Sequence, residues 1–448
     1  MKRLAILAPC LLMTAFWCVA AEPDADPQTS TTADQPAKVA PPNGSLLPGW
    51  LRINASIRGR IEDNITGMKG NVTDTYYLNR IRLDVSVVPL SWLSFFTQLQ
   101  DARVFGGYTP GPPSGSFEDP FDLRQGWVQL GKSEETGQSM RFGRQEIIYG
   151  DGRIIGPGDW SNSGKDYDAL RGRFVRPGVT LEMIAGSVVL TNPNGFDWHK
   201  PGEHVYGSYN TFNRLLPRTS IEPYYFMKTV LGVTGEKGPR SNSMEDVFGM
   251  RLAGKLPAWF DYTLEWVHEG GNYAHDHIDA IGYVYTAGWT VVPAPWKPRI
   301  SADLDYASGD SNSKDGVRGT FDLLYGSQQP FFSLTGLVGW KNIRNERAGV
   351  DFSPRKNMKV AVDFRNFNLA TVQDGFYNAQ ATRVFLDRAA TSAHVGEGVD
   401  TKLTLDWAHS LVTTFGVGTL SPGEYLHEVK QYSTYIYPYF TFTKRFGI

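Results

Sequence analysis

Three groups of side chains in this 448-residue sequence stand at spacings that suit chemistry. The largest is a set of arginines at every second position. In "WLRINASIRGRIED", residues 50–63, Arg52, Arg58 and Arg60 alternate with Leu51, Ile57, Gly59 and Ile61. "YLNRIRLDVSV" repeats the arrangement with Arg80 and Arg82, and Arg141, Arg171, Arg173, Arg251, Arg299 and Arg365 occupy the polar parity of later segments. A guanidinium is always charged and offers forked donors that match a carboxylate, so a row of them on one face reads as an anion-binding surface. The second group is Asp303 and Asp305, about 6.5 Å apart on one face of a strand, which invites an acid/base pair. The third is "HEGGNYAHDHID", which gathers His268, Glu269, His275, Asp276, His277 and Asp279. His-x-His beside acids has the donor types of a zinc or copper site. This run sits between strand-like segments, with no second cluster to complete a site, and reads as a solvated loop. No metal or cofactor is expected.

The elements that hold these residues have period 2. "FDYTLEW" sets Phe260, Tyr262, Leu264 and Trp266 against Asp261, Thr263 and Glu265, and "RISADLDY", "KVAVDFR" and "DTKLTLDW" behave alike. No helix-period segment of similar length competes. Counting along the chain gives about eighteen strand-like segments, with short and long connections in alternation. The short ones include 89–91, 176–178, 257–258 and 354–355; the long ones include 105–120, 150–164, 192–203, 308–330 and 370–397. An all-β fold follows, a transmembrane antiparallel β-barrel with short periplasmic turns and long extracellular loops. A soluble sandwich has no reason to keep its long loops at one end.

The two ends agree. "MKRLAILAPCLLMTAFWCVAA" carries Lys2 and Arg3, an apolar run, then Ala20 and Ala21, and reads as a signal peptide over 1–21. Both cysteines, Cys10 and Cys18, lie within it, with Pro9 arguing against lipidation, so the mature chain has no disulfide framework. Loss of Lys2 and Arg3 moves the net charge from -2 to -4, which excludes a basic nucleic-acid footprint. Residues 22–49, rich in Pro, Ala, Thr and Asp, read as a flexible lead-in, and 50–448 as one barrel. No stretch reaches the ~18 consecutive apolar residues of a spanning helix, and the mean hydropathy is -0.31. A barrel needs neither, since half of each strand faces water. In the last strand Ile436, Phe440, Phe442, Phe446 and Ile448 share one parity, broken only by Lys444. That pattern is similar to the terminal signal of outer-membrane proteins.

With the apolar parity in lipid, the lumen side holds fifteen bases against nine acids, although the chain as a whole is acidic. The bases are the arginines above with Lys255, Lys359, Lys402 and Arg445. A plain ladder of Arg–acid pairs would brace the barrel without leaving an excess. A basic excess inside a low-dielectric wall points to an anion path.

One stretch is more specific than alternation. "RFGRQEIIYGDGRIIGPGDWSNSGKDYDALRGRF", residues 141–174, with Gly143-Arg144-Gln145, Tyr149-Gly150-Asp151, Arg153, Gly156, Asp159-Trp160 and Asp168, closely resembles the signature of the alginate-export family of outer-membrane porins. "LDYASGD" at 304–310, "TFDLLYG" at 320–326 and "LSPGEYL" at 420–426 fit the same family in order. The chain departs from the family pattern after "TFDLLYG", where it reads "SQQPFFSLTGLVGW". The resemblance implies an eighteen-stranded barrel in the outer membrane of a Gram-negative-type bacterium, with a basic constriction that passes a polyuronate. Arg144, Arg153 and Asp168 are the matching signature residues, with Asp168 positioned to orient an arginine. The expected function is passive passage of an anionic solute, most readily export of alginate or a similar acidic polysaccharide. Expected partners are outer-membrane lipid, the anionic polymer or an organic acid, and periplasmic secretion components for export. Uptake of small organic acids is the alternative within the class. A barrel hydrolase would require a nucleophile held beside a histidine, and no G-x-S-x-G elbow is present.

Overall fold

A computed structural model describes residues 47–65, 74–107, 115–132, 136–327, 329, 331–430 and 433–447. The expected leader, nearly all of the lead-in and Ile448 lie outside the described residues. Eighteen long strands form the wall. They are β1 Leu51–Asn64, β2 Asp74–Leu90, β3 Leu93–Gly106, β4 Asp119–Gly131, β5 Gly137–Gln145 and β6 Tyr167–Arg176. Then come β7 Val179–Leu190, β8 Glu203–Leu216, β9 Thr219–Val233, β10 Ser241–Leu256, β11 Phe260–Tyr273 and β12 Ala280–Thr290. The ring continues with β13 Arg299–Ala307, β14 Ile343–Arg355, β15 Met358–Leu369, β16 His394–Trp407, β17 Leu411–Pro422 and β18 Tyr435–Gly447.

Each strand pairs antiparallel with the next, and β18 pairs back onto β1 with Asn54 opposite Gly447 and Glu62 opposite Tyr439. The sheet therefore has no free edge. That closure lets strands cross hydrocarbon, where an unpaired amide costs several kcal/mol, roughly. Among the described residues no helix is long and apolar enough to cross a membrane, which says nothing of strands.

The wall is inside-out. Arg60 is 4% exposed and its neighbour Ile61 48%; Arg365 is 3% exposed and its neighbour Phe364 50%. Buried charge on one parity beside exposed apolar side chains on the other has a stable explanation only if the outer face meets lipid. Trp92, Trp259, Trp289, Trp296 and Trp407 stand exposed at the short-turn rim, the level at which indole rings anchor a membrane protein.

Connections at that rim are short: Ser91–Trp92, Pro177–Gly178, Pro217–Arg218 and Lys356–Asn357 among them. The last differs from the expected 354–355, because Pro354 and Arg355 complete β14 before the turn. Gly178 takes φ 84, a left-handed value that a glycine adopts freely. At the opposite rim the connections run over 107–118, 146–166, 191–202, 308–342 and 370–393. The 308–342 segment is thus one long connection, holding among its described residues only the two-residue strand Val317–Arg318 beside His277–Ile278. A short helix, α1 Glu424–Val429, lies between β17 and β18 and buries Tyr425 and Leu426.

The lipid face of β2 supplies a test. Replacing Leu83, near the middle of β2 on its outward parity, by Arg should destabilise the folded barrel by about 2–4 kcal/mol. Urea titration of the protein in lipid vesicles, followed by tryptophan emission, measures the loss; a stability equal to the parent's would contradict the assigned face.

Candidate functional site in the barrel lumen

Two long loops turn inward rather than out. In 146–166, Ile147, Tyr149, Ile154 and Ile155 pack inside the barrel against Val205, Phe226, Val247 and Val267 of the wall, with Phe321, Leu323, Phe332 and Trp340 of 308–342 in the same apolar cluster. The inner parity therefore changes from polar to apolar along a strand. In β11 it runs from Asp261 and Glu265 to Val267 as it rises into the zone where the loops dock. Burying these loop side chains removes apolar area from water that no amount of wall charge could cover.

The loops also hold each other. Ile155 and Tyr325 form a parallel bridge. The Tyr325 amide donates to Ile154 O at 3.0 Å, and the Ser327 amide donates to Gly152 O at 2.9 Å. Lys165 Nζ donates to Tyr325 O at 2.7 Å, and burial together with Lys228 pushes its amine down to about 8. A Cβ at Gly326 would overlap the carbonyl oxygen of Arg153, so this crossing admits only glycine.

The loop tip 159–162 lands on the arginines of β1 and β2. Arg80 donates twice to the Asp159 carboxylate, at 2.8 and 3.2 Å, and Arg82 lies 3.1 Å from it. Arg58 donates to Asp159 O at 2.6 Å and to Ser161 O at 2.8 Å. Arg60 donates to Trp160 O at 2.6 Å, stacks 4.7 Å from that indole and pairs with Glu62. Asp159 keeps 47% of its side-chain surface open within the lumen. Burial works to raise its pKa, yet the Arg80, Arg82 and Arg58 guanidiniums prevail and hold it well below the usual carboxylate range. Asn162 fastens the tip by donating to Asn79 O, Arg103 O and Phe117 O at 3.0, 3.2 and 3.0 Å.

Seven other expected lumen arginines have partners on the wall or in the loops. Arg141 donates to Gln129 at 3.1 Å and lies over Trp127 at 4.0 Å. Arg171 and Arg173 share Glu182, at 2.6 and 3.2 Å. Arg251 pairs with Glu222 at 2.8 Å, and Arg299 with Asp261 at 2.7 Å. Arg365 reaches Asp400 at 3.3 Å and donates to Phe331 O at 2.8 Å. Arg153, on the inward loop, meets Asp151 at 3.4 Å and Asp305 at 3.5 Å, over the Phe331 ring at 4.4 Å. Such cross-strand pairs brace the wall as well as charge it.

Arg144 and Asp168 lie elsewhere than expected. They are directly opposite in the β5–β6 register and bonded through two N–H groups, at 2.9 and 3.1 Å. Asp168 shares its parity with the exposed Leu170, and Arg144 shares its parity with the exposed Phe142. The pair therefore sits on the outer face at the long-loop rim, away from the constriction. The reason is simple: Arg141 and Arg144 are three residues apart, and such residues cannot share a face of one strand.

Several charged residues here escaped the alternation argument. Arg124 is buried against Glu146 at 2.8 Å and Asp166 at 3.1 Å. Burial nevertheless pushes the Asp166 carboxyl up to about 7. The register between β3 and β4 slips at Gln98/Leu99, which moves Arg124 off the simple parity. Arg347, bonded to Asp303 at 2.5 Å and to Asp363, lies in a segment whose two faces are both polar near the rim. Lys228 bonds Asp322 of the inward loop at 2.8 Å.

The other two groups do not assemble a reactive centre. Asp303 is taken by Arg347, and Asp305 by Asn345 at 2.6 Å. His268 and Glu269 belong to β11. Asp276 accepts from the Glu236 and Lys237 amides, and His268 lies 3.4 Å from Asp279.

A closed eighteen-stranded ring with a lipid-facing exterior, a charged interior and inward-folded loops defines an outer-membrane channel. The alginate export family model matches residues 50–437, and the chain belongs to that family. Its place is the outer membrane of Gram-negative bacteria. Among solved structures the chain is similar to OpdQ of Pseudomonas aeruginosa, at 8% identity and TM-score 0.60 over 89% of this chain and 99% of that one. A BenF-like porin from Pseudomonas fluorescens Pf-5 matches at 8% identity and TM-score 0.60 over the same shares. OccK8 (OprE) of P. aeruginosa matches at 9% and 0.57, over 89% and 98%. At these identities the likeness is one of fold. No curated protein matches the sequence. Family and fold are those of outer-membrane porins, which are not enzymes.

The loop tip on the arginine arc is testable. Asp159→Asn removes one carboxylate from three guanidiniums, so reversal potentials of single channels in a salt gradient should move toward the anion side and conductance should rise. Unchanged selectivity would place the arc off the ion path. Gly326→Val should separate the two loops and raise single-channel conductance, with heat-modifiable gel mobility showing that the barrel still folds.

Proposed function

We propose that this channel passes an anionic polymer, alginate or a similar acidic polysaccharide, outward through its arginine-bearing lumen. One observation carries the reading beyond the family. Arg58, Arg80 and Arg82 converge on the carboxylate of Asp159, an acid brought by a loop rather than by the wall. A uronate carboxylate has the same charge and the same planar pair of acceptors. A polymer entering the lumen competes with Asp159 for the arc, frees the tip and moves from one guanidinium to the next. Passage requires each contact to be weak and repeated. Multiplicity supplies that, since Arg80, Arg171, Arg173, Arg251, Arg299 and Arg365 each already have a carboxylate to return to. No energy source is needed within the barrel. Export implies periplasmic components that deliver the polymer to the short-turn rim.

Uptake of small organic acids is the second reading, because the same arc accepts a lone carboxylate. The two differ in valence. Oligouronates should block the ion current at far lower concentration than a monocarboxylate, since linked carboxylates bind the second guanidinium intramolecularly.

In planar bilayers the wild-type channel should prefer anions, and oligouronate should reduce its current while neutral dextran of equal length does not. Arg80→Glu should weaken that block by about tenfold or more, in keeping with loss of a charge-assisted pair worth about 1.5–3 kcal/mol. Cation preference, or equal block by dextran, would refute the proposal.

A further inference from the structure

The long-loop rim holds a second cluster of acids that the lumen does not use. Asp119 and Asp122 open β4, and Asp197 comes from the 191–202 loop. One carboxylate oxygen of each lies within 4.8 Å of those of the other two. Asp119 is 2% exposed and Asp122 3%. Gln100 Nε2 donates to Asp119 Oδ2 at 2.7 Å, but Asp119 Oδ1, fully enclosed, has no hydrogen-bond partner among the described residues. The Asp197 amide donates to Asp122 Oδ2 at 2.5 Å, and the Asn192 amide donates to Asp197 Oδ1 at 2.7 Å. The three carboxylates are thus fixed in direction before any ligand arrives.

The nearby guanidiniums are otherwise engaged. Arg144 is held by Asp168, Arg124 by Glu146 and Asp166, and Arg103 by Asp101. An enclosed carboxylate oxygen without a donor is costly, and three converging acids compound the cost.

We infer that Asp119, Asp122 and Asp197 form a site for a hard divalent cation of the calcium class, which fastens the 191–202 loop to the mouth of the barrel. The donor set is all oxygen, as calcium and magnesium require and zinc or copper do not favour. Calcium takes about six to eight oxygens in a flexible geometry, whereas magnesium demands a near-ideal octahedron, so a set drawn from a strand and a loop suits calcium first. Water would complete the shell on the open side, next to Asp197. Arg144 serves the same loop from the other flank, donating to Asp197 O at 3.1 Å. The site is independent of the solute.

Terbium is the probe, because Trp198 adjoins Asp197 in the chain and an indole near a bound terbium ion sensitises its emission. Full-length protein refolded in detergent, free of lipopolysaccharide, should give saturable emission at one ion per chain. Calcium should displace it at lower concentration than magnesium. Asp197→Asn, a loop change that leaves the wall intact, should weaken binding about tenfold or more, and Asp119→Asn likewise. Retained heat-modifiable gel mobility reports folding, and equilibrium dialysis with radioactive calcium on the wild type gives a reading that no variant affects. No saturable calcium binding in the millimolar range would overturn the assignment. So would binding that folded Asp197→Asn and Asp119→Asn leave unchanged.

Discussion

Hydrocarbon offers a backbone amide nothing to bond, and this constraint organises the whole chain. Every strand must find its donors and acceptors in its neighbours, and the ring must close so that none is left over. Closure here depends on β18 returning to β1 with Asn54 through Glu62 in register. Once closed, the wall has two environments and each strand must serve both. Period 2, lipid-facing aliphatics and the tryptophan belt at the short-turn rim all follow from that one requirement.

Closure also creates an interior too wide for side chains alone to fill. This protein fills much of it with loop. The apolar cluster of Ile154, Ile155, Phe321 and Trp340 supplies the packing, and the polar rims supply direction. Charge inside such a space is rarely idle. Arginines on the wall meet Glu182, Glu222, Asp261 or Asp400 from the next strand or the next but one, and those of β1 and β2 meet a loop carboxylate instead. An excess of bases counted along strands is therefore partly offset by acids that strands do not carry. Asp159 and Asp151 belong to 146–166, and Asp322 to 308–342.

Much of the architecture was legible in the chain. Strand number, the short–long alternation of connections and the inward parity of Arg58, Arg60, Arg80, Arg82, Arg171, Arg173, Arg251, Arg299 and Arg365 follow from local spacing. Arg144 shows where motif reading overruled that spacing. Its place in the signature suggested the constriction, yet counting from Arg141 puts it on the outer face, where it pairs with Asp168 and holds the 191–202 loop. Arg124 and Arg347 were hidden for the opposite reason. A register slip and a segment polar on both faces removed the alternation that would have revealed them.

What the sequence alone determined is therefore what repeats every two residues: the strands, their lipid face, their polar face and the ring they build. Pleat geometry fixes those relations between neighbours, and no distant contact is needed. Tertiary structure decided which charges meet. Arg80 and Asp159 are far apart in the chain and come together only because apolar side chains of 146–166 draw that loop into the lumen. Asp119 and Asp197 are likewise distant in the chain and meet through the 191–202 loop. Electrostatic partnership depends on distance through space, and in a barrel the loops set that distance.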